Sequence, residues 1–212
     1  MERLHDMLTT YNANIPASMR TSWSRQFLQP AFPSYWVITY EILQSIDRNK
    51  HVIEIGAGQG DVTSIVCYLG FNSISAYERD IDVANVAEAK INALFNRRSI
   101  IIKQDFATVN LKNEHADILI IVNCAYADGC STKEEYLSRL ISYYNKAGNP
   151  ELFLLEVIDD SYTCEDSDFP VCIRLNKQDV ESMFPMSRIS SHLTYHYPEN
   201  KRTKRLYVIE QR

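Results

Sequence analysis

Apolar positions along the chain follow two rhythms. Short apolar runs centred on 51–55, 73–77, 99–104, 117–122 and 151–157 are rich in Ile, Val and Leu, and read as strands buried on both faces. Between and after them, segments near 60–69, 81–95, 132–146 and 176–184 carry apolar residues at helical spacing. Such alternation predicts a parallel sheet with helices on both faces. The rhythm then changes. Arg188 to Tyr197 and Lys204 to Gln211 are strand-like and are joined by Pro198-Glu199-Asn200-Lys201, which predicts a β-hairpin. The expected fold class is α/β: a doubly wound, seven-stranded mixed sheet, mostly parallel, with a C-terminal antiparallel hairpin.

Local signals mark the element ends. Asp80 stands where it can cap a helix starting at Ile81. Ser131, with Glu134 three residues on, predicts the start of the 132–146 helix, and Gly148 its end. Three of the six glycines fall within five positions, in Val52-Ile53-Glu54-Ile55-Gly56-Ala57-Gly58-Gln59-Gly60-Asp61. A β-branched run entering a glycine turn and then a helix is an arrangement that cradles nucleotide-like ligands. A dinucleotide fingerprint would place a third glycine where Asp61 stands. Glu54, two residues before the first glycine, would repel a pyrophosphate and attract an ammonium or sulfonium. The loop therefore suits a cationic ligand better than NAD.

Further acids follow at the ends of successive predicted strands. Glu78, with Arg79 beside it, ends the run Ser73-Ile74-Ser75-Ala76-Tyr77. It lies one helix and one return strand past Gly60, where an acid can accept both hydroxyls of a ribose. Asp105-Phe106 ends the third strand, and Asn123-Cys124-Ala125-Tyr126 follows the fourth. On these residues the chain resembles the class I, Rossmann-like S-adenosylmethionine methyltransferases, whose first motif reads Glu/Asp-x-Gly-x-Gly-x-Gly. The resemblance covers about residues 34–212. It implies that S-adenosylmethionine is the methyl donor and S-adenosylhomocysteine the product. Glu54, Gly56, Gly58 and Gly60 would then hold the methionine end, Glu78 with Arg79 the ribose, and Asp105 with Phe106 the adenine. Asn123 would border both donor and acceptor. Adenine and glutamine N-methyltransferases of this class read Asn/Asp-Pro-Pro-Tyr/Phe at that place. Here Cys124-Ala125 replaces the proline pair, so rigid presentation of a flat amine is not assured by the sequence.

Composition narrows the setting. At 212 residues and 24.5 kDa a single domain, 1–212, is expected. The net charge of −5 argues against a nucleic-acid partner. Five cysteines without a C-x-x-C pair, and no signal pattern at Met1-Glu2-Arg3-Leu4-His5, fit reduced thiols in a cytoplasmic protein. No apolar run approaches a membrane span, and no histidine or cysteine spacing suggests a metal.

Two aromatic-containing segments fall outside the core pattern, 1–33 and 159–175, and read either as lids over an acceptor pocket or as ordinary aromatic packing against the sheet. Methyl transfer is an in-line displacement that needs alignment more than acid–base chemistry. The candidates nearest the acceptor are Asn123 and Tyr126, with His192 as a possible base; His192 and His196 share one side of a predicted strand. Lys201, Arg202, Lys204 and Arg205 read as a solvated strand edge. The functional expectation is methyl transfer to an oxygen or nitrogen of a small molecule. The alternatives are an N-methyltransferase acting on RNA or protein, such as the rRNA adenine dimethylase branch, and a non-catalytic S-adenosylmethionine-binding protein. Acceptor identity and oligomeric state, a homodimer included, stay open.

Overall fold

The computed structural model describes residues 1–21, 28–111, 115–124, 129–165, 169–195 and 204–211. They form two compact units, Met1–Val109 and Asn110–Arg212. Of the positions singled out above, Tyr126, His196, Lys201 and Arg202 lie outside the described residues.

The first unit begins with α1 (Glu2–Asn14), whose Leu4, Leu8 and Asn12, spaced four apart, form its buried face. After a 3₁₀ turn come α2 (Ser34–Leu43), β1 (His51–Ile55), α3 (Asp61–Tyr68), β2 (Ser73–Tyr77), α4 (Ile81–Phe95) and β3 (Ile101–Ile102). The strands are parallel in the order β3-β2-β1, with Ile53 opposite Ser75. Asp80 caps α4 as expected, accepting from the amides of Asp82 and Val83. The third strand is shorter than its apolar run. Ser99 sits at φ 61°, outside extended backbone, and Gln104 turns back on the Ile102 carbonyl, which leaves a two-residue ladder.

One residue ties the helices of this unit together. Asp61, the first residue of α3, accepts from the Lys90 ammonium of α4 at 2.6 Å and from Asn12 of α1 at 3.4 Å. Its carbonyl accepts from the Trp36 indole of α2 at 2.9 Å. Trp36 and Lys90 have no solvent exposure. The chain thus places a paired charge, not a glycine, at the third-glycine position. Close packing of helix on helix is supplied by Gly60, where a Cβ would stand 3.2 Å from that of Ala87.

The second unit contains β4 (Ile118–Ile121), α5 (Lys133–Lys146), β5 (Leu152–Asp159), β6 (Arg174–Leu175), α6 (Lys177–Met183), β7 (Arg188–Tyr195) and β8 (Lys204–Glu210). β4 and β6 run parallel to β5; β8 runs antiparallel to β5 and to β7. All eight residues of β5 are buried. β6, which arises inside the 159–175 segment, brings the strands to eight where seven were expected. That segment is organised by the buried Arg174. Its guanidinium donates to the carbonyls of Tyr162, Cys164 and Phe169 and lies 4.6 Å from the Tyr162 ring centroid. Helix α5 is capped one residue later than expected. Thr132 and Glu135 form a reciprocal capping box, and Ser131 only donates its amide to Glu135. Gly148, at φ 91°, follows the end of this helix; a Cβ there would lie 2.3 Å from Nδ1 of His115.

Parallel strands alternating with helices, closed by an antiparallel hairpin, are the α/β class read from the sequence. Among the described residues no helix is long and apolar enough to cross a membrane.

Candidate functional site

The glycine turn is built as the pattern required. Gly56, Gly58 and Gly60 adopt φ of 74°, 55° and 78°, a region that costs side-chain-bearing residues energy. The amides of Gly56 and Ala57 both donate to the Tyr77 carbonyl at the end of β2, at 2.8 and 2.9 Å. The turn is therefore hung on the neighbouring strand. Glu78, half-buried just past that strand, closes it from the side. One carboxylate oxygen accepts from the Gly58 amide at 2.8 Å and the other from the Asp80 amide at 2.9 Å. A carboxylate has about four acceptor positions, so both oxygens keep capacity for a vicinal diol.

Glu54, at the end of β1, is 3% exposed and accepts from the Thr63 hydroxyl at 2.6 Å. Burial pushes its carboxyl up to about 7; the Thr63 hydrogen bond opposes this, and the nearby charges of Asp61 and Glu78 add to it. A cation placed beside Glu54 would favour the ionised form. Asp105 is half-buried and turns the chain by accepting the Ala107 amide, while Phe106 is buried edge-on to Tyr77 at 5.1 Å. Arg79 is exposed. Within the first unit the turn, Glu54 and Glu78 are brought together, and Tyr77 links the turn to Phe106. An apolar cavity of about 260 Å³ lies between the N-terminal segment and α4, and none of these residues lines it.

In the second unit Asn123 lies two residues past β4 in left-handed backbone, φ 56°. Its amide donates to Glu156 Oε2 at 2.9 Å, and its side-chain oxygen accepts from Lys204 Nζ at 2.6 Å. Glu156 has no solvent exposure, and its other oxygen accepts from the Thr194 hydroxyl at 2.5 Å. His192 is exposed on β7, opposite Leu206. Among the described residues no group of three or more His, Cys, Asp or Glu could hold a metal.

The reading of Lys204 and Arg205 as a solvated edge is corrected here. β8 lies between β5 and β7, so it is not an edge strand; Lys204 is 6% exposed and Arg205 donates to the buried Asp159. Sequence reasoning also missed Glu156. Its signal was present: a lone acid in Leu154-Leu155-Glu156-Val157-Ile158 implies a buried partner.

The fold is that of the class I S-adenosylmethionine-dependent methyltransferases. The ribosomal RNA adenine dimethylase family model matches residues 18–143, more than half of the chain, and the chain belongs to that family. The ribosomal RNA small subunit methyltransferase A of Prochlorococcus marinus (strain AS9601) is 27% identical over 145 residues, which cover 64% of this chain and 52% of that protein. The chain thus spans about half the length of this curated relative. Among solved structures, magnesium protoporphyrin IX methyltransferase from Synechocystis PCC 6803 with bound SAH shares the fold, with a TM-score of 0.65 at 10% identity, covering 98% of this chain and 100% of that one. The methyltransferase domain of bacterial CtHen1-C does so with a TM-score of 0.61 at 14% identity, covering 84% and 97%.

Proposed function

We propose that this enzyme transfers a methyl group from S-adenosylmethionine to the exocyclic amine of an adenine in RNA. Glu78 takes the ribose hydroxyls, Glu54 and the glycine turn face the cationic methionine end, and Asp105 with Phe106 receives the donor's adenine. When bound, the sulfonium supplies an electrophilic methyl; the chain aligns, excludes water and holds the acceptor nitrogen. The observation that carries the amine reading is the locking of Asn123. Proline rigidity is missing, yet the Glu156 and Lys204 contacts fix both its backbone and its side chain. Family membership favours RNA over a free base.

The test is transfer of a radiolabelled methyl to total RNA and to a short adenine-rich RNA, at several salt concentrations. Label in N6-methyladenine, lost with rising salt, is expected. Absence of label in RNA, with label in a small-molecule extract instead, would overturn the reading. That second possibility, a small-molecule acceptor, is favoured by two observations: Cys124-Ala125 in place of the prolines, and the net charge of −5. Five cysteines without a C-x-x-C pair support a reducing compartment, the cytoplasm.

A further inference from the structure

Two cysteines of the second unit meet across the fold. The Cys172 thiol donates to the Cys130 carbonyl at 3.4 Å, although 42 residues separate them. Cys130 stands two residues before Thr132, the cap of α5. Cys172 lies in the 3₁₀ turn Val171–Ile173, which packs on α5. Both cysteines are half-buried, so a small reagent can reach them, whereas Cys67 is buried in the first unit. A carbonyl oxygen is bonded within about 2.7 Å of its own Cα, so the Cys172 sulfur stands no more than about 6 Å from the Cα of Cys130. Bridged cysteines hold their Cα atoms about 4.4–6.8 Å apart. Rotation of the two side chains, with a small shift of the short turn, closes that gap.

We propose that Cys130 and Cys172 form a reversible redox latch that pins the 159–175 segment to the start of α5. In a reducing compartment the pair stays as thiols, joined by the hydrogen bond. A small-molecule disulfide, such as oxidised glutathione, closes the latch by exchange. One cysteine thiolate attacks it, forms a mixed disulfide and expels one thiolate. The second cysteine thiolate then attacks the protein sulfur and expels the other. The pair loses two protons and two electrons, and the small disulfide becomes two thiols. The segment so fixed reaches the surroundings of Asn123. Arg174, two residues past Cys172, gathers the carbonyls of Tyr162, Cys164 and Phe169. The Phe169 ring faces Lys204 Nζ at 6.0 Å, and Lys204 donates to Asn123 at 2.6 Å. The latch does not depend on which acceptor is methylated.

Two measurements on the full chain test this. The first is peptide mapping by mass spectrometry after incubation with oxidised glutathione, without and with later dithiothreitol. A Cys130–Cys172 linked peptide is expected, lost on reduction and retained in Cys164→Ser. Mixed disulfides alone, or a link through Cys164 in its place, overturns the inference. The second compares the oxidised and reduced proteins by thermal unfolding and hydrogen exchange. Closing a loop of this length should raise the melting temperature by roughly 5–10 °C. Amides of the 159–175 segment should exchange roughly tenfold more slowly. Cys172→Ser and Cys130→Ser should each abolish both effects, and the wild-type comparison stands even where a variant fails to fold. A link that lowers the melting temperature, or leaves exchange of the segment unchanged, shows a forced bond and contradicts the latch.

Discussion

Replacing Glu78 with Ala isolates the residue on which the donor assignment leans most. Its two oxygens hold the Gly58 and Asp80 amides at 2.8 and 2.9 Å, so the side chain orients the glycine turn in addition to the ribose contact proposed for it. Two hydrogen bonds from ribose hydroxyls to an ionised acceptor contribute roughly 1.5–3 kcal/mol each when buried. Glu78 is only half-buried, which puts both bonds at the lower end. A loss of about 3 kcal/mol follows, equivalent to a dissociation constant raised about 150-fold. Glu78→Gln should fall between, because one carbonyl acceptor survives while the new NH₂ meets a backbone N–H. Calorimetric titration of each variant with S-adenosylmethionine and S-adenosylhomocysteine gives the number, and thermal unfolding checks that the variants are folded. Affinity within threefold of wild type in a folded Glu78→Ala protein would refute the assignment.

On the proposed assignment of Glu54 to the donor's cationic end, donor binding should be proton-linked. With its carboxyl at about 7, a bound cation should drive ionisation and release protons near neutral pH. Calorimetry at pH 7 in two buffers of different ionisation enthalpy should therefore give different apparent enthalpies; equal values contradict this. The same raised value means that the ligand-free protein binds more protons folded than unfolded. Its stability should fall as pH rises from 4.5 through 7, by about 3 kcal/mol, and Glu54→Gln should remove that slope in denaturant titrations. Asp61→Asn leaves Lys90 buried without its counter-charge and should cost about 3–5 kcal/mol in urea unfolding, most of it recovered in Asp61→Leu with Lys90→Met. Gly148→Ala forces a Cβ to within 2.3 Å of His115 at φ 91° and should destabilise by about 2 kcal/mol or more, with S-adenosylmethionine affinity unchanged.

What the sequence made legible was local. The β-branched run before Gly56 and the three spaced glycines encode strand, turn and helix within ten residues, and the turn stands where that pattern put it. Asp80 was readable because a cap depends on its immediate neighbours. The position of a strand within a sheet has no such local code. Lys204 and Arg205 look like a charged edge, and only the pairing of β8 with both β5 and β7 buries the lysine against Asn123, 81 residues away. Glu156 was masked in the same way: its partners come from the loop after β4 and from β7. The run 99–104 looked like a full strand because apolar pattern does not register the left-handed backbone at Ser99. The cap of α5 moved from Ser131 to Thr132 because two overlapping boxes, Ser131 with Glu134 and Thr132 with Glu135, compete in sequence and geometry selects one.

The most direct test is a crystal structure of the full chain grown with S-adenosylhomocysteine. The ribose hydroxyls are expected on Glu78, the adenine amine on Asp105, and the amino-acid end over the turn from Gly56 to Gly60. A ligand bound away from that turn, with the Glu78 carboxylate still held only by Gly58 and Asp80, would contradict the account.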